Sequence, residues 1–296
     1  MTDLRPTSRR VLLGALIAAA LAGACSKSDS PLAPSPPPTP GSTVVYAAVG
    51  ASDAAGVGSS APCVPFTDCP NGMGYVPRIV RDLQGQGSTV TLSNLGIPAA
   101  VISPRMQALG EQYGRTIPGN FIDQEMPFVP RNSTLVTIFA GANDVNTISA
   151  AIGGGAAGSN PSGYVDQQIT AFGVDFHTLL DGVRSRAPSA RIVVANLPNM
   201  GAMPFSSKYS VQRRRLLQKA SVGFSTQVIN RLASEGIPVV DILCDSRYTS
   251  RSYLSSDGFH PNDAGYAALA ADFLRAIRSG GYPAPSSSCR FMTTVK

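Results

Sequence analysis

Tryptophan is absent from the 296 residues, histidine occurs only twice, and charged side chains make up 14% of the chain. With no tryptophan and with the tyrosines scattered, no platform for stacking sugar rings is evident. Basic charge is sparse: the one dense run, Arg213-Arg214-Arg215, reads as a solvated helix face. From Cys25 onward 21 Lys and Arg stand against 17 Asp and Glu, a net +4. That small excess argues against nucleic acid as a partner and leaves a weak attraction to anionic surfaces at most. No C-x-x-C pair is present to hold zinc, and Gly153-Gly154-Gly155 lacks the G-x-x-x-x-G-K pattern of a phosphate cradle. Nothing in the chain demands a metal or a cofactor.

Long apolar runs are missing too, since the stretch from Val11 to Ala24 is too short to span a bilayer comfortably. Arg5, Arg9 and Arg10 precede it, so residues 1–24 read as an export signal absent from the mature protein. Ser8-Arg9-Arg10-Val11-Leu12-Leu13 looks like a twin-arginine signal, the general secretory route being the alternative. Leu21-Ala22-Gly23-Ala24-Cys25 resembles a bacterial lipobox, with Ala22 where leucine is usual, which makes Cys25 the expected lipidation site. An ordinary cleavage site is the competing reading. Residues 25–42 are rich in Ser and Pro, with Pro31, Pro34, Pro36, Pro37, Pro38 and Pro40, and read as a semi-rigid tether. Together these segments predict an exported monomer anchored by lipid in the cell envelope. Ser26 after the cysteine points to the outer membrane in a Gram-negative cell.

Of five cysteines, setting Cys25 aside leaves Cys63, Cys69, Cys244 and Cys289, an even set in an oxidising compartment. Three pairings are possible. The expected one joins Cys63 to Cys69 as a local staple and Cys244 to Cys289, tying a C-terminal tail, 281–296, to the last strand. Between tether and tail, residues 43–280 show no interior linker or repeat and form one domain. Short apolar runs at Val44 to Val49, Thr89 to Leu95, Thr134 to Ala140, Arg191 to Leu197 and Pro238 to Leu243 read as strands. Helical spacing intervenes at Val165, Ile169, Phe172, Phe176, Leu179 and Val183, and again at Leu217, Phe224, Val228 and Leu232. Buried strands alternating with helices predict a parallel sheet covered on both faces, with ligands beyond the carboxyl ends of its strands.

Scarce histidine narrows the chemistry. Acyl transfer from an ester needs a hydroxyl nucleophile, an imidazole base, a carboxylate to orient it and N–H donors for the oxyanion. Of His177 and His260, only His260 has a carboxylate three residues upstream, Asp257, while His177 lies beside the apolar stripe of a long helix. Asp257 can fold back within one turn to accept the proton on Nδ1, leaving Nε2 to face Ser52. Ser52 alone could merely cap a helix; Asn143 could brace a loop, and Asp144 reads as structural. The α/β-hydrolase elbow is excluded, because G-x-S-x-G would need glycine where Ala54 stands.

Four blocks in order, Gly50-Ala51-Ser52, Gly96, Gly141-Ala142-Asn143-Asp144 and Asp257-Gly258-Phe259-His260-Pro261, resemble those of the SGNH hydrolases, also called GDSL esterases and lipases. The one departure is Ala51, where that family has aspartate. The resemblance implies a three-layer α/β/α sandwich with a five-stranded parallel, flavodoxin-like sheet, and a carboxylic ester hydrolase working through an acyl-enzyme. It implies Ser52, His260 and Asp257 as nucleophile, base and orienting acid, with Ser52 N–H, Gly96 N–H and Asn143 as the oxyanion hole. A carbohydrate O-deacetylase of the same fold, or a surface lipoprotein that binds without turnover, are the alternatives. Phe121, Met126, Phe128, Met200, Met203 and Phe205, on the loops Pro118 to Pro130 and Pro198 to Ser210, are expected either to line an acyl pocket or to pack in the core.

Overall fold

A computed structural model describes residues 35–296. The signal segment 1–24, the lipobox with Cys25 and the tether residues 26–34 lie outside the described residues. Five strands, β1 (Thr43–Val49), β2 (Thr89–Asn94), β3 (Leu135–Phe139), β4 (Arg191–Ala195) and β5 (Val239–Val240), form one sheet in the order β2-β1-β3-β4-β5. Every pairing is parallel, with Tyr46 of β1 opposite Leu92 of β2 and Leu135 of β3. β3 and β4 are buried along their whole length, which is why they read as unbroken apolar runs, whereas the edge strand β2 is mostly open to solvent. The strand order reverses between β1 and β3, and that switch point opens a crevice at their carboxyl ends.

Among the described residues there are eight α-helices: α1 (Ser52–Ala55), α2 (Tyr75–Gly85), α3 (Pro104–Gln112), α4 (Phe121–Gln124), α5 (Ala142–Gly153), α6 (Pro161–Arg186), α7 (Val211–Gly223) and α8 (Asp263–Arg278). On one face α2 packs against α8 through a Tyr75–Phe273 stack with ring centroids 4.9 Å apart. On the other, α3, α5, α6 and α7 pack together, and Phe172 of α6 stacks on Phe224 just beyond α7. The result is an α/β/α sandwich, as the sequence predicts.

Two elements depart from the sequence pattern. The apolar stripe from Leu217 to Leu232 is not one helix: α7 ends at Gly223, and a wide π-type turn at Phe224–Val228 and a 3-10 segment at Ile229–Glu235 follow. There the Ser225 hydroxyl accepts the Leu197 N–H, tying the turn to the chain just past β4. β5 keeps only two residues because the Asn196 side chain takes over its ladder, its Oδ1 accepting the N–H groups of Ile242 and Leu243.

Both ends of the described chain are fastened to the body. Residues 35–42, read above as the last part of the tether, are docked: the buried Arg191 donates to the carbonyls of Ser35, Ala276 and Ser279. Its two terminal guanidinium nitrogens thereby find acceptors out of water, and the segment before β1 supplies one of them. At the other end Cys244 is bonded to Cys289, and the tail 281–296 also lays Phe291 O on Asn199 and Val295 on Gln218. Cys63 is bonded to Cys69 in the loop between α1 and α2.

Candidate active site

The chain leaves β1 at Val49, turns through Gly50 and Ala51, and starts α1 at Ser52, which is only 6% exposed. The cap position is Ala51, and no side-chain cap bond forms there. The Ser52 hydroxyl is used otherwise: its Oγ lies 2.8 Å from His260 Nε2. Its N–H, at the first position of the helix, has no intrahelical acceptor.

Asp257 and His260 share the loop before α8. Asp257 Oδ1 accepts the Ser255 hydroxyl at 2.7 Å, the Phe259 N–H at 2.8 Å and the His260 N–H at 3.0 Å. Oδ2 is left to the imidazole, 2.6 Å from Nδ1. Partial burial pushes the Asp257 carboxyl up, but the bonds from the His260 ring, the Phe259 N–H, the Ser255 hydroxyl and the His260 N–H outweigh it and bring the pKa down to about 2. An ionised carboxylate only accepts, so Nδ1 carries the proton and Nε2 presents its lone pair to Ser52. Two residues on, Asn262 caps α8 by accepting the N–H groups of Ala264 and Gly265, which fixes where the loop ends. His177 is exposed on α6, outside this loop.

The opposite wall comes from the turns after β2 and β3. Gly96 is pressed against the serine turn: a β-carbon there would fall 2.5 Å from the Ala54 Cβ and 2.8 Å from the Ala51 carbonyl oxygen. Only glycine lets the two turns close. Its N–H makes one long contact, 3.3 Å, with Asn94 Oδ1, and Asn94 in turn donates to Ala54 O. Gly141, at a φ of +116° that disfavours any side chain, delivers the chain into α5. Asn143 in the first turn of α5 gives one amide hydrogen to Ala100 O at 3.0 Å and keeps a second. Asp144 beside it is fully buried: its Oδ1 accepts the Ile102 N–H, and burial pushes its pKa up to about 7 against that bond.

One residue of this wall escapes sequence reading. Glu125, 0% exposed, accepts the Gly50 N–H on Oε2 at 2.8 Å and the Ile97 N–H on Oε1 at 3.1 Å. Burial raises its pKa well above the carboxylate range, against the pull of these two bonds. No spacing marks it: it stands between Gln124 and Met126 in the loop Pro118 to Pro130, with another acid, Asp123, two residues before it. Asp53, next to Ser52, is likewise raised by burial, the nearby His260 charge opposing.

The apolar loop residues divide between the two readings. Phe121 is core, Met126 is packed against the core, and Phe128 is exposed and meets Phe66 edge to face. Met200 and Met203, both buried, line a cavity of about 30 Å³ with Asp53, Phe139, Phe259 and Pro261 among its other walls; neither Ser52 nor His260 lines it. Phe205 packs edge-on to Phe259, which in turn meets the His260 ring. A long acyl pocket is not formed by these six residues, because most are spent on packing.

A parallel α/β sheet carrying a Ser–His–Asp line at its switch point defines a serine hydrolase of the sandwich type. Residues 48–268 match the GDSL-like lipase/acylhydrolase family, and the chain belongs to it as a carboxylic ester hydrolase. Solved structures with the same fold include an extracellular lipase from Streptomyces rimosus, 17% identical, covering 79% of this chain and 99% of that one with a TM-score of 0.53. A phospholipase A1 from Streptomyces albidoflavus is 18% identical over 79% of this chain and 99% of that one, with a TM-score of 0.54. An acetylxylan esterase from Geobacillus stearothermophilus is 16% identical over 82% of this chain and 98% of that one, with a TM-score of 0.51. No curated protein matches the sequence.

Proposed function

We propose that the chain is a lipid-anchored serine esterase that cleaves carboxylic esters through an acyl-enzyme formed on Ser52. The observation that carries this reading is the unbroken line from Ser52 Oγ to His260 Nε2, 2.8 Å, and from His260 Nδ1 to Asp257 Oδ2, 2.6 Å. In the proposed reaction Nε2 takes the Ser52 proton as Oγ attacks the ester carbonyl. The imidazolium is held by Asp257, and the oxyanion is met by Ser52 N–H, Gly96 N–H and the second Asn143 amide hydrogen. The Gly96 N–H exchanges its long contact with Asn94 for the stronger charge-assisted bond to the oxyanion. Collapse expels the alcohol, which takes its proton from Nε2. Water, deprotonated by the same nitrogen, then releases the acid.

Of the six loop residues that could line an acyl pocket, Phe121, Met200 and Met203 belong to the buried core and Met126 packs against it, which leaves little apolar surface for a long alkyl chain. Short acyl esters are the preferred substrates on this reading, with longer chains left to lie on the surface. Hydrolysis of p-nitrophenyl esters of graded length by the domain from residue 35 onward tests it. Turnover should be highest at two to four carbons. A fluorophosphonate should label Ser52 and fail on Ser52→Ala. No hydrolysis of any ester, with no labelling, would leave the chain a binding lipoprotein.

A further inference from the structure

Two backbone N–H groups that belong to different turns converge on one carboxylate. Gly50, two residues before Ser52, and Ile97, one residue after Gly96, donate to the two oxygens of Glu125 at 2.8 and 3.1 Å. The two oxygens share one carbon, so neither turn can shift without breaking a bond to the other's anchor. Glu125 itself is held at the end of α4, its own N–H on Phe121 O, and it is wholly out of water. Ala51, within the serine turn, has no side-chain acceptor to offer either N–H. Burying this carboxyl group is costly, and both its oxygens are spent on the two turns that carry the proposed oxyanion donors.

We propose that Glu125 is the positioning residue of the oxyanion hole: it clamps the serine turn to the Gly96 turn and so sets the distance between the Ser52 and Gly96 N–H groups. This rests on the reading of Ser52 as nucleophile. Glu125 touches no reacting atom and acts only through those two N–H donors. Displacing a catalytic group by 1 Å can cost about 100-fold in rate, so the clamp should be visible in turnover and nearly invisible in substrate binding.

Glu125→Gln is the sharpest variant, because it keeps the shape but offers one acceptor and turns an NH₂ donor towards the second backbone donor. It should lower kcat on p-nitrophenyl acetate by about 10- to 100-fold with KM within about threefold. Glu125→Asp, which keeps both acceptors on a shorter arm, should recover part of the loss. Amide hydrogen exchange reads the clamp directly: in the unaltered protein the Gly50 and Ile97 N–H groups should be protected. In Glu125→Gln at least one of them should exchange faster while β3 stays protected. Unprotected Gly50 and Ile97 amides in the unaltered protein would overturn the proposal whatever the variants do. So would a Glu125→Gln enzyme with kcat within twofold of the parent. Ser52→Ala, run alongside, separates the two layers: activity retained there removes the nucleophile assignment itself, whereas an inactive Ser52→Ala with a normal Glu125→Gln removes only the clamp.

Discussion

At the scale of single residues, the site is built from polar groups whose partners are almost all supplied by their neighbours. Asp257 has Oδ1 saturated by three donors, which leaves Oδ2 a single task at the imidazole. Ser52 and His260 act as one unit on this geometry, so Ser52→Ala and His260→Ala should each lower kcat by orders of magnitude and the double variant little further. Near-additive losses in a double-mutant cycle would mean that the two residues work apart. Asn143→Ala, which removes one of the proposed oxyanion donors, should raise the barrier by about 3 kcal/mol with little change in KM. Asp144 offers a test by pH. Folding raises its pKa to about 7, so the folded chain keeps a proton that the unfolded chain loses near pH 4. Its contribution to stability is therefore fully present below about pH 4 and is lost as pH rises to about 7, a loss on the order of 4 kcal/mol. Asp144→Asn does not titrate, so its melting temperature relative to the parent should climb between pH 4.5 and pH 7.5. A constant gap across that range would contradict the assignment.

Secondary elements bring these residues together through ends rather than middles. Ser52, Gly96 and Asn143 each stand just beyond the carboxyl end of β1, β2 or β3, and His260 stands just before α8, so the site sits where neighbouring connections diverge. β5 contributes least ladder and most side-chain substitution, with Asn196 bonding the chain that would otherwise have paired. From that chain the Cys244–Cys289 bridge spans 45 residues and encloses the His260 loop and α8. Loop entropy gives such a bridge roughly 4 kcal/mol of stabilisation. Replacing both cysteines by serine should lower the denaturant midpoint by a corresponding amount, while Cys63→Ser with Cys69→Ser, which opens a far shorter loop, should cost less. Thiol titration of the denatured, unreduced protein should find no free thiol among the four.

For the molecule as a whole, the active edge and the attachment of the N-terminal segment lie at opposite ends of the sheet: β1 begins at Thr43 beside the docked residues 35–42 and ends at the serine turn. Among the described residues no helix is long and apolar enough to cross a membrane; the proposed anchor is the lipid on Cys25. Mass spectrometry of the native N-terminus should find Cys25 acylated as the first residue. A mature chain that begins beyond Cys25, or carries it unmodified, removes the anchor.

Fold class and the Ser52, His260 and Asp257 set that the fold brings together were legible in the sequence for one reason: both are carried by local patterns. Unbroken apolar runs separated by helical spacing determined a parallel covered sheet, and with only two histidines the chemistry singled out His260 and its acid three residues away. Gly96 was readable as a position, but the reason for it, the Ala54 Cβ 2.5 Å from where its own would be, exists only when two turns meet. Tertiary structure alone decided the rest. The break after Gly223 goes with the hydrogen bond between Ser225 and Leu197, 28 positions apart, which no window of spacing contains. Glu125 reaches Gly50 across 75 residues, and its role depends on two backbone N–H groups. Backbone donors are identical at every position, so no residue letter records which of them the fold will aim at one carboxylate.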